Sequence, residues 1–196
     1  MKLCVFQGTF NPIHRAHLQV AEYVYKNFDF DKILFIPAYK PPHKDYTPGM
    51  AIHRFNMVKL AVENRYNFDV SDIEYKSEEK SYTYLTIKEL YKKYPVDGKI
   101  NFIIGTDAFE KIETWYETDK LKKLVDFIVF RRTNNFSQQN YNYLKEKGYN
   151  FIFADLEFCD ISSTQLRSRI TNGERINDIV TEEVEDYIKK HGLYKN

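Results

Sequence analysis

The sequence predicts an α/β fold: a Rossmann-like, doubly wound parallel sheet in a single domain, with helices at its C-terminal end. Short apolar runs alternate with segments of helical periodicity, and short loops join them. No internal repeat, low-complexity tract or flexible linker divides the 196 residues, which suffice for one good core. Hydrophobic residues make up 43% and charged residues 29%, as in ordinary globular proteins. We therefore expect residues 1–196 to form one domain.

The first half of the chain contains three predicted strands, each followed by a predicted helix. The apolar run at residues 3–6 predicts the first strand, and positions 18, 21, 24, 25 and 28 mark one face of the next helix. Further strands are expected at residues 32–36 and near residues 69–73. Helices are expected at about residues 52–62 and 83–94, and a proline follows the second of these.

The second half continues the alternation. Ile100 to Ile104 predicts a strand, as do Phe127 to Phe130 and Tyr149 to Phe153, with a helix between the last two. Two final helices are expected, one from near Ser162 and one over Thr181 to His191. Parallel strands of this kind bind ligands at their carboxyl ends, at the point where the strand order reverses. We therefore look for function in the loops at that edge.

The most informative loop follows the first strand, at residues 7–17 (QGTFNPIHRAH). Gly8 would let a phosphate approach the backbone, and a helix N-terminus offers unpaired N–H groups and the positive end of its dipole. His14 and His17 lie three positions apart, so they share one face and add two donors. The alternative is a plain strand-to-helix turn, but the two imidazoles favour a phosphate site.

Other uses of this loop are less well supported by the sequence. A zinc site needs at least three protein ligands, and no Cys, His or Glu of suitable spacing completes one, so we expect no protein-built metal site. The dinucleotide pattern G-x-G-x-x-G is absent. A net charge of +1 gives no general argument for nucleic acid or a membrane surface. Anion binding must therefore come from a local site.

A second candidate anion site lies near the other end of the chain. Ser162, Ser163 and Thr164 provide three hydroxyls at an expected helix N-terminus, and Arg167 lies one turn further on the same face. Arginine presents a fork of donors that matches phosphate oxygens. The alternative is an ordinary helix cap, since Ser and Thr are common N-caps.

Together these two segments resemble the nucleotidyltransferase superfamily, through its G-x-F-x-P-x-H-x-x-H signature (residues 8–17) and its I-S-S-T-x-x-R motif (residues 161–167). The resemblance implies transfer of a nucleotidyl group with release of pyrophosphate. His14, His17 and Arg167 would be the catalytic residues, with the histidines on the α-phosphate and the serine motif on the β- and γ-phosphates. The implied ATP-binding residues are Gly8, Thr9, Phe10, His14, His17, Gly105, Asp107, Ser162, Ser163, Thr164 and Arg167. Mg²⁺ is implied together with ATP as co-substrate.

Three further segments resemble the bacterial nicotinate-nucleotide adenylyltransferases: P-P-H-K at residues 41–44, S-Y-T-x-x-T at 81–86, and I-I-G-x-D at 103–107 followed by the pair Trp115-Tyr116. The resemblance implies that nicotinate mononucleotide accepts the adenylyl group of ATP, a step of NAD biosynthesis. The pyridine ring would stack on Trp115, and backbone amides of Thr83 and Tyr116 would meet the nicotinate carboxylate. The implied acceptor-binding residues are Lys44, Thr83, Asp107, Trp115, Tyr116 and Arg132.

The chain departs from the family pattern at several positions. Gln7 stands where a second glycine is usual, and Asn11 stands where Asp is more frequent. Leu85 replaces a common acidic residue, and residues 133–134 replace the usual Pro-Gly after Arg132. Other acceptors, nicotinamide mononucleotide or phosphopantetheine, stay open as alternatives, as does a nucleotide-binding regulator without catalysis.

The remaining expectations concern location and assembly. The first apolar run ends at once in Gln7-Gly8, which argues against a signal peptide, and no stretch is long enough to span a membrane. Two cysteines, Cys4 and Cys159, cannot form a disulfide framework and fit reduced thiols. We therefore expect a cytoplasmic protein that binds small molecules, without nucleic-acid or membrane partners. A homo-oligomer stays open.

Overall fold

A computed structural model describes residues 1–42, 47–76, 80–131, 137–156 and 161–195. Within them lies one sheet of six parallel strands: β1 (Leu3–Gly8), β2 (Lys32–Pro37), β3 (Phe68–Val70), β4 (Ile100–Gly105), β5 (Val125–Phe130) and β6 (Phe151–Ala154). The strand order is β3-β2-β1-β4-β5-β6. The chain therefore builds outward from β1 in one direction and then in the other, which puts the reversal point between β1 and β4.

Eight α-helices fill the connections within the described ranges. They are α1 (Arg15–Asn27), α2 (Pro48–Val62), α3 (Thr83–Lys93), α4 (Thr106–Phe109), α5 (Thr118–Leu124), α6 (Asn142–Glu146), α7 (Ser163–Thr171) and α8 (Glu182–His191). Short 3₁₀ helices lie at Ile73–Lys76, Ile112–Thr114 and Gln138–Tyr141. None of the helices in the described ranges is long and apolar enough to cross a membrane.

The two faces of the sheet carry separate cores. Successive residues of a strand point to opposite faces, so Cys4 and Phe6 belong to one core while Leu3 and Val5 belong to the other. Buried residues of α1, α2, α7 and α8 cover the first face, and those of α3 to α6 cover the second. Cys4 is a buried free thiol, whereas Cys159 lies outside the described residues. The predicted doubly wound α/β fold is confirmed.

The third strand ends earlier than predicted because a turn follows Val70. β3 ends at Val70, and Ile73 begins a 3₁₀ helix instead of ending the strand. The Ile73 N–H donates to the Ser71 hydroxyl at 3.3 Å, and the Tyr75 N–H donates to the Asp72 carbonyl at 2.9 Å. Ser and Asp favour such local hydrogen bonds over continued strand pairing. The turn brings Glu74 into the interior, where it is only 6% exposed.

The last strand begins two residues later than predicted. The N–H of Tyr149 donates to the Leu144 carbonyl at 3.0 Å, which makes Tyr149 part of the end of α6. Gly148 allows this ending because its φ is +85°, a left-handed conformation that favours glycine. Residues 106–124, for which the sequence pattern predicted no helix, contain α4, α5 and the 3₁₀ helix between them.

Candidate active site

The loop between β1 and α1 is built around the ring of Phe10. That ring is buried, with its centroid 5.4 Å from Phe6, 5.8 Å from Phe35 and 5.0 Å from His17. A Cβ atom on Gly8 would lie 3.0–3.3 Å from three atoms of the same ring. The packing of Phe10 therefore leaves little room for a side chain at the end of β1, besides any ligand. Since the Phe10 side chain is in the core, only its backbone is available to a nucleotide.

The two histidines lie together at the start of α1. His14 is the N-cap and His17 the third residue of the helix; they are 4% and 8% exposed, and their ring centroids are 3.7 Å apart. The backbone N–H of His14 donates to Nδ1 of His17 at 3.2 Å. Because Nδ1 accepts this bond, a neutral His17 carries its ring proton on Nε2. The pair thus combines an oriented imidazole donor with the positive end of the α1 dipole.

The start of α7 contacts the β1–α1 loop directly. The Ser163 hydroxyl donates to the carbonyl oxygen of Pro12 at 3.0 Å. The Arg167 guanidinium donates from Nη1 to the carbonyl of Asn11 at 2.9 Å and from Nη2 to the Thr164 hydroxyl at 3.2 Å. These contacts bridge sequence separations of 151 and 156 residues. The two segments that the sequence proposes as phosphate sites therefore lie against each other.

Ser162 has a different environment from its neighbours. It is the N-cap of α7: the Gln165 N–H donates to its hydroxyl at 3.2 Å, and its own N–H donates to Gln165 Oε1 at 2.8 Å. This reciprocal capping box satisfies two groups of the helix terminus. The capping interpretation is therefore right for Ser162, and its contact with ATP stays a prediction.

The segments predicted to bind the acceptor meet through a pair of tyrosine rings. Thr83 is the first residue of α3 and Tyr82 its N-cap. The Tyr82 ring lies against that of Tyr116, with centroids 4.6 Å apart and planes inclined by 30°. The neighbouring Trp115 is half-buried and packs edge-on against Phe102, with centroids 6.2 Å apart. Trp115 thus has a core contact as well as an open surface, which suits stacking on a planar ligand.

The end of β4 supplies the remaining described residues of the prediction. Gly105 is the N-cap of α4, and Asp107 lies exposed in its first turn. Both lie at the carboxyl edge of the sheet, beside the reversal point between β1 and β4. Lys44 and Arg132 lie outside the described residues. In the part of the chain that is described, no group of three or more His, Cys, Asp or Glu residues could hold a metal ion.

Similarity to known proteins extends over the whole chain. A family model described as cytidylyltransferase-like matches residues 5–169. A probable nicotinate-nucleotide adenylyltransferase of Clostridium tetani is 38% identical, over 99% of each chain. The chain belongs to the nicotinate-nucleotide adenylyltransferase family. A relative with the same name from Caldicellulosiruptor saccharolyticus is also 38% identical, over the full length of both chains.

Solved structures of similarly named proteins share the fold. The nicotinic acid mononucleotide adenylyltransferase of Plasmodium falciparum complexed with NaAD matches with a TM-score of 0.81 and 24% identity, covering 98% of this chain and 97% of the other. A putative nicotinate-nucleotide adenylyltransferase from Vibrio parahaemolyticus matches with a TM-score of 0.70 and 22% identity, covering 100% and 97%. The resemblance drawn from the sequence motifs is therefore confirmed at the level of family and fold. The roles of individual residues stay predictions.

Two residues that sequence analysis missed contact the loop between β1 and α1 (residues 9–14), which we call the phosphate loop after its predicted ligand. Arg54 of α2 is 4% exposed and donates to the carbonyls of Thr9 at 2.7 Å and Tyr39 at 3.3 Å. The Tyr194 hydroxyl donates to Oδ1 of Asn11 at 2.7 Å. Burial raises the pKa of Tyr194, so its phenol stays a donor.

A sequence signal existed for only one of these two residues. Arg54 lies three positions from Ala51 and from Met57, so it interrupts an otherwise apolar helix face. A buried cation needs hydrogen-bond acceptors, and here two backbone carbonyls accept from Arg54. Tyr194 gave no such signal, because only the return of the chain after α8 brings it to Asn11.

Proposed function

We propose that this chain transfers the adenylyl group of ATP to the 5′-phosphate of nicotinate mononucleotide, forming deamido-NAD and pyrophosphate. The observation that carries the proposal is the contact of Arg167 and Ser163 with the carbonyls of Asn11 and Pro12. It brings the loop that carries the paired histidines against the helix that carries the arginine, which supports a shared site for one triphosphate. Residues 1–196 would act as one nucleotidyltransferase domain.

The reaction needs alignment and charge stabilisation more than proton transfer. An oxygen of the acceptor phosphate attacks the α-phosphorus of ATP, the new P–O bond forms, and the bond from the α-phosphorus to the bridging oxygen breaks. The electron pair leaves with pyrophosphate. Because a phosphate monoester is already anionic near neutral pH, no general base is required. Preorganised donors aimed at the developing charge then supply most of the catalysis.

Each group at the phosphate end has a proposed role. His14 and His17 would hold the α- and β-phosphates, with Nε2–H of His17 as a donor to the charge that develops on the α-phosphate. Arg167 would hold the β- and γ-phosphates; its contact with Asn11 already fixes the guanidinium plane. The hydroxyls of Ser163 and Thr164 and the N-terminus of α7 would complete this cradle. The backbone at Gly8, Thr9 and Phe10 would line its other side.

The acceptor end would recognise a planar ring that bears a carboxylate. The ring would stack on Trp115, and the backbone amides of Thr83 and Tyr116 would meet the carboxylate. Thr83 suits this role because the first N–H groups of an α-helix lack partners within the helix. Amide donors prefer an anionic oxygen, which favours nicotinate over nicotinamide. Asp107 at the end of β4 would accept hydrogen bonds from ribose hydroxyls, while Gly105 would border the nucleotide.

Two residues and the metal complete the proposal. Lys44 and Arg132, predicted from the family motifs, would bind acceptor phosphate. Nucleotidyl transfer from ATP generally uses a divalent cation, and we take it to be Mg²⁺. It would enter bound to the phosphate oxygens of ATP, since Mg²⁺ is usually held by one or two carboxylates together with substrate phosphates. Its chemistry would be to offset charge on the leaving pyrophosphate.

The test is release of pyrophosphate from Mg-ATP with different acceptors. Nicotinate mononucleotide, nicotinamide mononucleotide and phosphopantetheine are compared with a reaction that lacks acceptor. We expect the highest kcat/KM with nicotinate mononucleotide and deamido-NAD as product. Faster turnover with another acceptor would overturn the substrate and keep the reaction class. ATP binding without pyrophosphate release, whatever the acceptor, would indicate a nucleotide-binding regulator.

A further inference from the structure

A buried carboxylate links the phosphate and acceptor ends of the site. Glu74, in the 3₁₀ helix Ile73–Lys76, is 6% exposed. Its Oε1 accepts from the Gln7 side-chain amide and from the Thr86 hydroxyl at 2.6 Å. Its Oε2 accepts from the Tyr39 N–H at 3.1 Å. A hydrogen bond from the Ser81 side chain completes the set.

The four donors come from three separate segments of the chain. Gln7 lies at the end of β1, directly before Gly8, and Tyr39 follows β2. Ser81 and Thr86 flank the start of α3. One carboxylate thus connects the strand that begins the phosphate loop with the helix whose first residue is the proposed nicotinate-binding Thr83.

A second layer of hydrogen bonds strengthens the same connection. The Lys40 N–H donates to the Ser81 hydroxyl at 2.9 Å, and the Ser81 N–H donates to the Lys40 carbonyl at 3.0 Å. The segment after β2 and the segment before α3 are therefore paired side by side, and Glu74 accepts hydrogen bonds from both of them. Burial raises the pKa of Glu74, while the four hydrogen bonds act in the opposite direction. A buried carboxylate is tolerated when its oxygens are saturated by donors, as they are here.

We propose that Glu74 is a positioning residue for the acceptor: it fixes the N-terminus of α3 against β1 and the segment after β2, and thereby sets where Thr83 presents its amide. Glu74 would touch neither substrate and would act through the backbone that it orients. The proposal rests on the proposed function for the identity of the acceptor. Gln7, which stands where a second glycine is usual in the family pattern, provides one of these donors.

The proposal is tested with Glu74→Gln and Thr86→Val. A glutamine keeps the shape of the side chain but places an NH₂ among four donors. Thr86→Val removes one donor and preserves volume, so it is the variant that decides if Glu74→Gln does not fold. Glu22→Gln is the matched control, because Glu22 lies on α1 and accepts from Arg65 at 3.0 Å on the surface.

We expect the KM for nicotinate mononucleotide to rise about tenfold in Glu74→Gln and less in Thr86→Val, since small misplacements of a binding group are costly. The KM for ATP should change less than about twofold, because the contacts of Arg167 and Ser163 are untouched. The control should match the wild type. Equal rises of both KM values, or no rise in either variant, would overturn the proposal.

A readout that needs no turnover separates this proposal from the proposed function. Amide hydrogen exchange over residues 80–86 should be faster in both variants than in the wild type, with residues 182–191 of α8 unchanged. Unchanged exchange over residues 80–86 would refute the positioning role even if the wild-type enzyme used a different acceptor. A wild type that releases no pyrophosphate would instead refute only the function.

Discussion

At the proposed phosphate end of the site, the side chains of Arg167 and Ser163 donate to the backbone carbonyls of Asn11 and Pro12. At the acceptor end, two of the predicted ligand-binding groups are the backbone amides of Thr83 and Tyr116, and a buried carboxylate, Glu74, holds the start of the helix that carries Thr83. The phosphate end is therefore assembled by the same residues that would bind ligand. At the acceptor end, the groups that would bind ligand are different from the residue that holds the backbone in place.

This difference predicts where substitutions act. At the phosphate end, removing a side chain removes a ligand contact and a structural contact together, so kcat and stability should change together. At the acceptor end, removing the support should change substrate affinity while the phosphate chemistry is retained. The predictions below test this contrast in order of expected size.

The largest effect is expected for His17→Ala. Losing one preorganised donor at a site of developing charge typically costs about 10²–10³ in turnover. His17 also packs against Phe10 and His14, so a modest fall in melting temperature should accompany the loss. The measurement is kcat with saturating ATP and acceptor, with circular dichroism to establish folding. Tyr66→Ala, a fully exposed position between α2 and β3, is the control; a folded His17→Ala with near-normal turnover would contradict the role.

A smaller but still large effect is expected for Arg167→Lys. Lysine retains the charge but cannot bridge the Asn11 carbonyl and the Thr164 hydroxyl in the way a guanidinium does. Hydrogen bonds to charged groups contribute about 1.5–3 kcal/mol, so kcat/KM for ATP should fall roughly ten- to hundredfold. Arg169→Lys, two positions along α7 and paired with Asp178, should leave it unchanged. A fall confined to the acceptor KM would place Arg167 at the wrong end of the site.

The fold could be predicted from the sequence wherever an apolar run and a helical period alternate, as at β1 and α1. The prediction failed where local hydrogen bonds competed with periodicity. Ser71 and Asp72 turned the expected strand into a 3₁₀ helix, and Gly148 delayed β6 by ending α6 with a left-handed residue. Such competition depends on side-chain geometry, which hydrophobic patterning does not encode.

The contact between the β1–α1 loop and the start of α7 could be expected from two short runs of chemically distinctive residues, one of which contains His14 and His17; the roles of these residues stay predictions. Glu74 was missed because a single glutamate between a strand and a helix is indistinguishable in sequence from a solvated one. Its importance arises only when donors from residues 7, 39, 81 and 86 converge on it. Tyr194 was missed for the same reason.

A moderate effect is expected for Tyr194→Phe. The change removes only the hydroxyl that donates to Asn11 Oδ1. A neutral hydrogen bond is worth about 0.5–1.5 kcal/mol, which corresponds to a roughly two- to tenfold fall in kcat/KM for ATP. Tyr91→Phe is a matched control, because the Tyr91 hydroxyl donates to the Leu124 carbonyl at 2.7 Å on the other face of the sheet. If both variants lose stability but neither loses activity, Tyr194 is structural only.

The smallest effect concerns pH and the helices behind the phosphate end. Arg54 comes from α2 and Tyr194 follows α8, so packing of α2 on α8 supports the contacts of both with the phosphate loop. At that interface Nδ1 of His53 and the Tyr187 hydroxyl form a hydrogen bond of 3.0 Å. The centroid of the His53 ring lies 5.1 Å from that of the His191 ring. Burial, and secondarily the nearby His191, lower the pKa of His53 below 6.5 in the folded protein.

The sign follows from proton linkage. With a lower pKa in the folded state, the unfolded chain binds more protons as the pH falls through about 6.5, so the contribution of His53 to stability is present above that pH and is lost below it. The free energy of unfolding in urea should therefore fall from about pH 8 to about pH 5 by more in the wild type than in His191→Asn, in which one cause of the shift is removed. Equal pH dependence in the two proteins would show that burial alone sets the titration of His53. A larger dependence in the variant would contradict the prediction, because it would mean that His191 does not lower the pKa of His53.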